Sequence, residues 1–367
     1  MKKRYMACFM IAGLAVFFGG CASTELEHRN FPLALGIDLQ EKASRENESA
    51  KLVVSFDFPD LAQISEKGKA VDTSMSLSLE GADMYRIEKS YENNTNRLLD
   101  YNHLKAVVLG ENIFTDGNKL RTLLLSWEQQ EASVRNTSLF AGSKSAAEIL
   151  SLTQETEGSV GKYLEEMLES QKDFKQNKIV TVGNLMNQWH NQNELLLIPV
   201  LTEEGDRPAV TGYMAVLNFD YKGMLSVKDA MESFLCQNLL EKFICEPEED
   251  KVVEISGIKA EKTIEQEGET AVVTMKISGK GRLKTGQLSS VSERYQLEEE
   301  LEKQLTKDLR ETAKNMKQKY GIDITNSYIS LGRRSRKLYE MYMDSPDSYN
   351  KEVKQVFEVD ISMENWE

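Results

Sequence analysis

Cys21 carries the most specific chemistry in this sequence. It closes the stretch "MKKRYMACFMIAGLAVFFGGCAST", directly after Gly19 and Gly20. Lys2, Lys3 and Arg4 form a positive start, and an apolar run extends from Met6 to Phe18. That run is shorter than the about 20 residues needed to cross a ~30 Å hydrocarbon core. It has the form of the apolar region of an export signal. Small residues fit a signal peptidase cleft, and a thiol directly after them is the group that diacylglycerol transfer modifies. The expectation is cleavage between Gly20 and Cys21, which leaves Cys21 as an acylated N-terminus. An ordinary export signal with an incidental cysteine, or an uncleaved anchor, is the alternative.

The other reactive side chains form no comparable arrangement. His28, His103 and His190 are the three histidines, and no two share a metal-binding spacing. His103, in "YNHLKAVV", reads as a capping or packing residue ahead of a strand. Cys236 and Cys245 lie nine apart in "SFLCQNLLEKFICEPEED". They read as small buried hydrophobes. A disulfide between them is the other reading, and it requires the chain to turn between them. No second cysteine pair completes a metal site. No GxSxG elbow or GxxxxGK[ST] loop is present, and "SGKGRLKTG" reads as a β-turn. Arg333, Arg334, Arg336 and Lys337 cluster in "GRRSRKLYEMY". They read as a solvated helix start, or as a contact for lipid headgroups or an acidic partner loop. No catalytic, metal or cofactor constellation emerges, so the expectation is a protein without enzymatic activity.

Charge narrows the partners. Lys2, Lys3 and Arg4 are the only charged residues of the first 20. Without them, 42 basic residues face 59 acidic ones, a net charge of −17. That balance disfavours nucleic acid, whose binding is led by phosphate neutralisation. It also disfavours unaided adhesion to anionic lipid. Two or more acyl chains would hold such a body stably on a bilayer. No second segment is long and apolar enough to span one.

The elements around these residues alternate between strand and helix patterns. Leu33, Leu35, Ile37 and Leu39 alternate, as do Leu52, Val54, Phe56 and Phe58, and the two runs read as a hairpin across the polar loop "ENESA". Met75, Leu77 and Leu79 alternate more weakly. Met84, Ile87, Tyr91 and Leu98 fall on one side of a helix. Ala106–Leu109, in "HLKAVVLG", is continuous and apolar, as a central strand would be. Helices are expected near Lys119–Gln129, Ser145–Leu152, Val160–Ser170 and Val182–His190. A break is expected near Leu201–Pro208, in a stretch holding two of the six prolines and a charge cluster. Beyond it come a hairpin turning at Asp220–Gly223, a helix over Lys228–Phe243 and a meander turning at "EGE". Leu297, Leu301, Leu305, Leu309, Ala313, Met316 and Tyr320 form one apolar helix stripe ending at Gly321, where a C-terminal cap belongs. That helix reads as packed on a sheet rather than as a coiled coil. Phe357, Val359, Ile361 and Met363 alternate in a closing strand.

The expected architecture is α+β, with two to three mixed sheet-and-helix domains after a lipoprotein signal. Residues 1–20 would be the signal, 21–200 an N-terminal domain and 201–367 a C-terminal one, with a possible subdomain at 206–255.

The order of these features resembles a known family. "LALGID" follows the lipid cysteine, and then come "YNHLKAVVLGENI", "SAAEIL", "IPVL" and "GYMAVLNFDYKGMLSVKDAMESFL". A long Leu-striped helix and a final strand close the chain. Together they resemble the Ger(x)C family, the lipoprotein C subunits of bacterial spore nutrient germinant receptors. The resemblance implies a non-catalytic, cofactor-free subunit with two integral-membrane partners, the A and B subunits. It implies attachment through Cys21 to the outer face of the spore inner membrane and a response to small nutrients. The rival from another class is a lipid-anchored solute-binding protein of a permease, which would show repeated βαβ units where the sequence reads as segregated strands and helices.

Overall fold

The computed structural model describes residues 28–40, 50–59, 75–129, 134–152, 159–175, 180–248 and 250–364. Gly20, Cys21 and most of the "ENESA" loop lie outside them. The first strands are β1 (Arg29–Asn30), β2 (Ala34–Leu39), β3 (Leu52–Phe58) and β4 (Met75–Gly81). Helix α1 (Met84–Thr95) and β5 (Leu98–Leu99) lead to β6 (Ala106–Leu109). Then come α2 (Gly117–Gln129), β7 (Ser138–Gly142), α3 (Ala146–Ser151), α4 (Val160–Glu169) and α5 (Val182–Asn187). The long hairpin of β8 (Leu195–Glu204) and β9 (Arg207–Leu217) follows, with β10 (Asp220–Leu225) behind it.

Strands β2 to β4 and β6 to β10 form one eight-stranded sheet in the order β10-β9-β8-β7-β6-β2-β3-β4. Its centre, β2-β6-β7-β8, is parallel, and its flanks are antiparallel. Strand β2 is buried along its whole length because both faces of the sheet are covered. Leu35, Ile37 and Leu39 join one core with Ile87 of α1 and Leu124 and Trp127 of α2. Ala34, Ala106 and Phe140 face the other way, toward Ala146 of α3 and Leu164 of α4. Gly161 fits that second layer because a Cβ there would sit 2.4 Å from the Leu33 carbonyl oxygen. Backbone cannot yield as a side chain can. Gly161→Ala is therefore expected to cost about 2 kcal/mol of stability by forcing α4 off the sheet, as urea unfolding of the purified protein would show.

The rest of the chain builds a second sheet. Helix α6 (Val227–Cys236) precedes β11 (Lys242–Glu248), β12 (Lys251–Glu267) and β13 (Thr270–Thr285). Helix α7 (Val291–Tyr320) and the short helices α8 (Tyr328–Arg334), α9 (Arg336–Tyr342) and α10 (Pro346–Glu352) lead to β14 (Lys354–Met363). The order is β11-β12-β13-β14, with β14 parallel to β13. The apolar stripe of α7 packs on this sheet, and Gly321 closes the helix in the left-handed region at φ 65°. Glu302 and Glu298 of α7 accept hydrogen bonds from the Ile361 and Met363 amides of edge strand β14, at 3.0 and 2.8 Å. Those side chains satisfy an edge that would otherwise invite pairing.

The α+β class stands, and several expectations are corrected. The Leu201–Pro208 stretch, where a domain break is expected, is the tip of a paired hairpin, so a division of the chain there leaves the first sheet continuous. Its charges, Glu203, Glu204, Asp206 and Arg207, mark the exposed tip of two long strands, while Pro199 and Pro208 are buried within them. The sheet also contains two βαβ crossovers, β6-α2-β7 and β7 through α3, α4 and α5 to β8, where segregated elements were expected. Strands β9 and β10 turn at Asn218 and Phe219, both with positive φ, rather than at Asp220–Gly223. Gly223 sits at a register shift in β10 instead. Helix α6 ends at Cys236 and Asn238 takes φ 58°, so Phe243 belongs to β11. Leu98 lies beyond α1, which stops at left-handed Asn96. "SGKGRLKTG" is not a turn, because most of it continues strand β13.

Candidate functional site

The structure scatters the side chains that chemistry would single out. His28 precedes β1. His103 is exposed in a 3-10 turn, with its ring edge against Phe31 at 5.2 Å between centroids. His190 is exposed beyond α5. Among the described residues, no group of three or more His, Cys, Asp or Glu side chains is placed to hold a metal ion. Cys236 and Cys245 are buried free thiols. Burial pushes Cys236 far above its ordinary range and Cys245 up to about 11. Both therefore stay neutral near neutrality and act as packing residues rather than nucleophiles.

Two buried carboxylates hold the helical layer over the parallel strands. The Oδ1 of Asp38, at the end of β2, accepts the Ala146 amide at 2.8 Å. Its Oδ2 accepts the Ser145 hydroxyl at 2.9 Å and the Ala147 amide at 3.1 Å. On β3, Asp57 accepts the Ser159 hydroxyl at 2.8 Å and the Gly161 amide at 3.0 Å. Each carboxylate takes up amides that a helix start leaves unpaired. Burial raises the Asp57 pKa, and the hydrogen bonds from Gly161, Ser159 and Val160 oppose that rise.

Beside Asp38 lies an open cleft of about 540 Å³ at the carboxyl ends of β2 and β6. Ligands of open α/β sheets bind at such ends. Here Asp38 and Asn112 are already engaged. The Asn112 amide donates to the Leu39 carbonyl and accepts the Leu39 N–H, at 2.6 and 3.0 Å. Gly110, after β6, packs directly against Asp38, where a Cβ would stand 1.9 Å from Oδ1.

The two sheets meet at a buried polar seam in the loop from Ile322 to Ser327. Asp323 accepts both the amide and the hydroxyl of Thr325 and of Ser327, and also the Gln355 side chain. Lys262 reaches in from β12 to the carbonyls of Thr325 and Asn326. Burial lowers the Lys262 pKa, and the Asp323 charge opposes that fall. Asn326 Oδ1 accepts the Leu195 amide of β8 at 3.0 Å, and Asn193 pairs with Asn350 of α10 through both amides. Sequence reasoning passed over this loop. Its one signal was the alternation Asp323, Thr325, Ser327, side chains that bond their own backbone in turns.

A further acid is buried between α6 and α7. Glu232 is 1 % exposed, and neither carboxylate oxygen has a hydrogen-bond partner. Lys228 Nζ stands 3.8 Å away and is shared with Asp308 at 3.3 Å. Burial pushes Glu232 up to about 7. Asp308 and Asp229 add to the rise, while the nearby Thr312 hydroxyl, whose donated bond goes to Asp229 at 3.2 Å, and the Lys228 charge oppose it.

The arrangement is that of a scaffold with buried polar joints, and comparison with known proteins bears on its kind. The family of spore germination protein N-terminal domains matches residues 22–203. The family described as spore germination B3/GerAC like, C-terminal, matches residues 214–365. The two matches divide at the β8–β9 hairpin, although the sheet runs through it. A search of the curated proteins finds no match. Among solved structures, the crystal structure of the GerBC protein is similar over 91 % of this chain and 98 % of its own, with a TM-score of 0.60 and 16 % identity. At that identity the likeness speaks for the fold.

Proposed function

This chain belongs to the Ger(x)C family of spore germination proteins, and we propose that it is the lipid-anchored, non-catalytic C subunit of a nutrient germinant receptor. The carrying observation is that the family matches take up residues 22–203 and 214–365, the first starting one residue after Cys21. In this reading acyl chains on Cys21 hold the body at the outer face of the spore inner membrane, beside integral-membrane A and B subunits. The body then acts through its surfaces. Its buried carboxylates serve as structural joints, and it needs no cofactor. Its two units are best divided at the β8–β9 tip, with the β8–β10 strands as their common wall.

The test is Cys21→Ala in a strain that depends on this receptor. The protein is expected to move from the membrane to the soluble fraction with its fold unchanged, and germination, followed as loss of optical density after nutrient addition, is expected to slow. Membrane release with unaltered germination for every nutrient would reject the reading.

A second reading, a lipid-anchored solute-binding protein, draws on the βαβ crossovers and the open cleft beside Asp38. Calorimetric titration of the unacylated body with amino acids and sugars separates the two, since only a solute-binding protein would bind alone.

A further inference from the structure

The α8–α9 pair stands out on the surface of this acidic protein. Residues 328–345 hold four basic side chains, Arg333, Arg334, Arg336 and Lys337, against two acidic ones, Glu340 and Asp344. Arg336 is paired with Glu340 at 2.8 Å. Arg333, Arg334 and Lys337 are exposed, and no ion pair engages them among the described residues. Interleaved with these charges, Ile329, Tyr339, Met341 and Met343 are 38 to 45 % exposed. Buried Leu331, Leu338 and Tyr342 hold the pair to the body.

Its position is fixed at both ends. Before α8, Asn326 accepts the Leu195 amide at 3.0 Å. After α9, the Pro346 carbonyl accepts the Asn193 side chain at 3.1 Å. Both anchors lie at the start of β8. The parallel register runs from Val200 through Ala141 and Leu109 to Ile37, so Leu195 stands level with Pro32, ahead of β2. The helical pair therefore projects from the edge of the sheet at which the chain arrives from Cys21. Cys21 lies seven residues before His28, and seven steps of ~3.4 Å reach at most about 24 Å.

We propose that α8 and α9 form a second membrane contact, docking on an anionic lipid surface beside the Cys21 anchor. The placement rests on the lipid-anchor reading above. Unpaired Arg and Lys among Ile, Met and Tyr is the composition of an interfacial element. It suits a bilayer better than the acidic loop of a protein, which would leave the apolar side chains without a use. The net negative charge of the body does not prevent this, because charges beyond a Debye length of ~10 Å are screened while the patch sits at the surface. The contact would orient the body on its tether. Alone it is weak, as single attachment signals are, so Cys21→Ala still releases the protein at physiological salt.

The test uses the unacylated mature chain and vesicles of phosphatidylcholine with and without phosphatidylglycerol, at low salt. Sedimentation with the anionic vesicles only is expected. R333E/R334E/K337E is expected to lower the partition at least roughly a hundred-fold, about five-fold per charge. M341S/M343S is expected to lower it several-fold, with the circular dichroism of both variants unchanged. Failure of the wild-type chain to bind anionic vesicles overturns the proposal, as does equal binding of the charge variant. Binding to detergent-solubilised receptor membrane subunits but not to lipid also overturns it, assigning the patch to a protein partner. None of these outcomes touches the anchor reading, which stands on the fractionation of Cys21→Ala.

Discussion

Replacing Asp323 with alanine is expected to lower the free energy of unfolding by roughly 4 kcal/mol, the cost of breaking one side of a buried charged network. The carboxylate is the common acceptor for two backbone amides, two hydroxyls and the Gln355 amide. Without it, five donors in a buried loop lose their partner, and each unmet donor costs about 1–3 kcal/mol before relaxation. The nearby Lys262 ammonium, already disfavoured by burial, also loses the opposing charge that supports it. Asp323→Asn keeps the shape and part of the acceptor capacity, so about half that loss is expected. The damage should also reach the other sheet. The 322–327 loop presents Asn326 to the Leu195 amide, so hydrogen exchange at Leu195 should accelerate in Asp323→Ala while β6, at the centre of the sheet, stays protected. Urea unfolding and exchange on the same sample check both parts. A loss below about 1 kcal/mol, or unchanged exchange at Leu195, would show that the seam does not couple the sheets.

That seam marks the limit of what the sequence made visible. The alternation of Leu35, Ile37 and Leu39 announced β2, and the apolar run Ala106–Leu109 announced a central strand, because burial on one or both faces writes itself into local periodicity. Helix α7 was legible from Leu297 to its stop at Gly321 for the same reason, its first six residues, Val291 to Gln296, excepted. What stayed hidden was non-local. Asp38 and Asp57 look like ordinary charges on strands, and only the fold brings Ala146 and Gly161, more than 100 residues on, to their oxygens. Pro199 and Pro208 suggested a boundary, yet both sit in paired strands, since a proline needs only a position that owes no ladder hydrogen bond. Cys21 is the opposite case. The expected processing signal is read from a short local stretch, and Cys21 lies outside the described residues.

Glu232 is expected to make this protein less stable as the pH rises. Its pKa in the fold is pushed up to about 7, against 4.5 for the free side chain. An acid with a raised pKa in the fold binds its proton more tightly there than in the unfolded chain. Below 4.5 both states hold the proton and the residue costs nothing by this route. Between 4.5 and about 7 the unfolded chain gives its proton up first, and stability falls. Above 7 a charged carboxylate stays buried, and at 1.36 kcal/mol per pKa unit the full loss is about 3 kcal/mol. Glu232→Gln removes the charge while keeping the shape, and both oxygens of the native side chain lack hydrogen-bond partners already, so the amide forfeits none. Its stabilising effect should grow from under about 1 kcal/mol at pH 5 to about 3 kcal/mol at pH 8. Urea unfolding of both proteins at the two pH values reads this difference. Other groups facing the site, Asp229, Asp308, Lys228 and the two buried thiols, remain in both proteins, so their titrations cancel to first order. A constant difference across the range would mean that Glu232 is ionised throughout and that Lys228, 3.8 Å away, neutralises it more fully than the shared contact with Asp308 suggests. A difference that follows the expected curve would identify the α6–α7 contact as a joint whose strength depends on one proton near neutral pH.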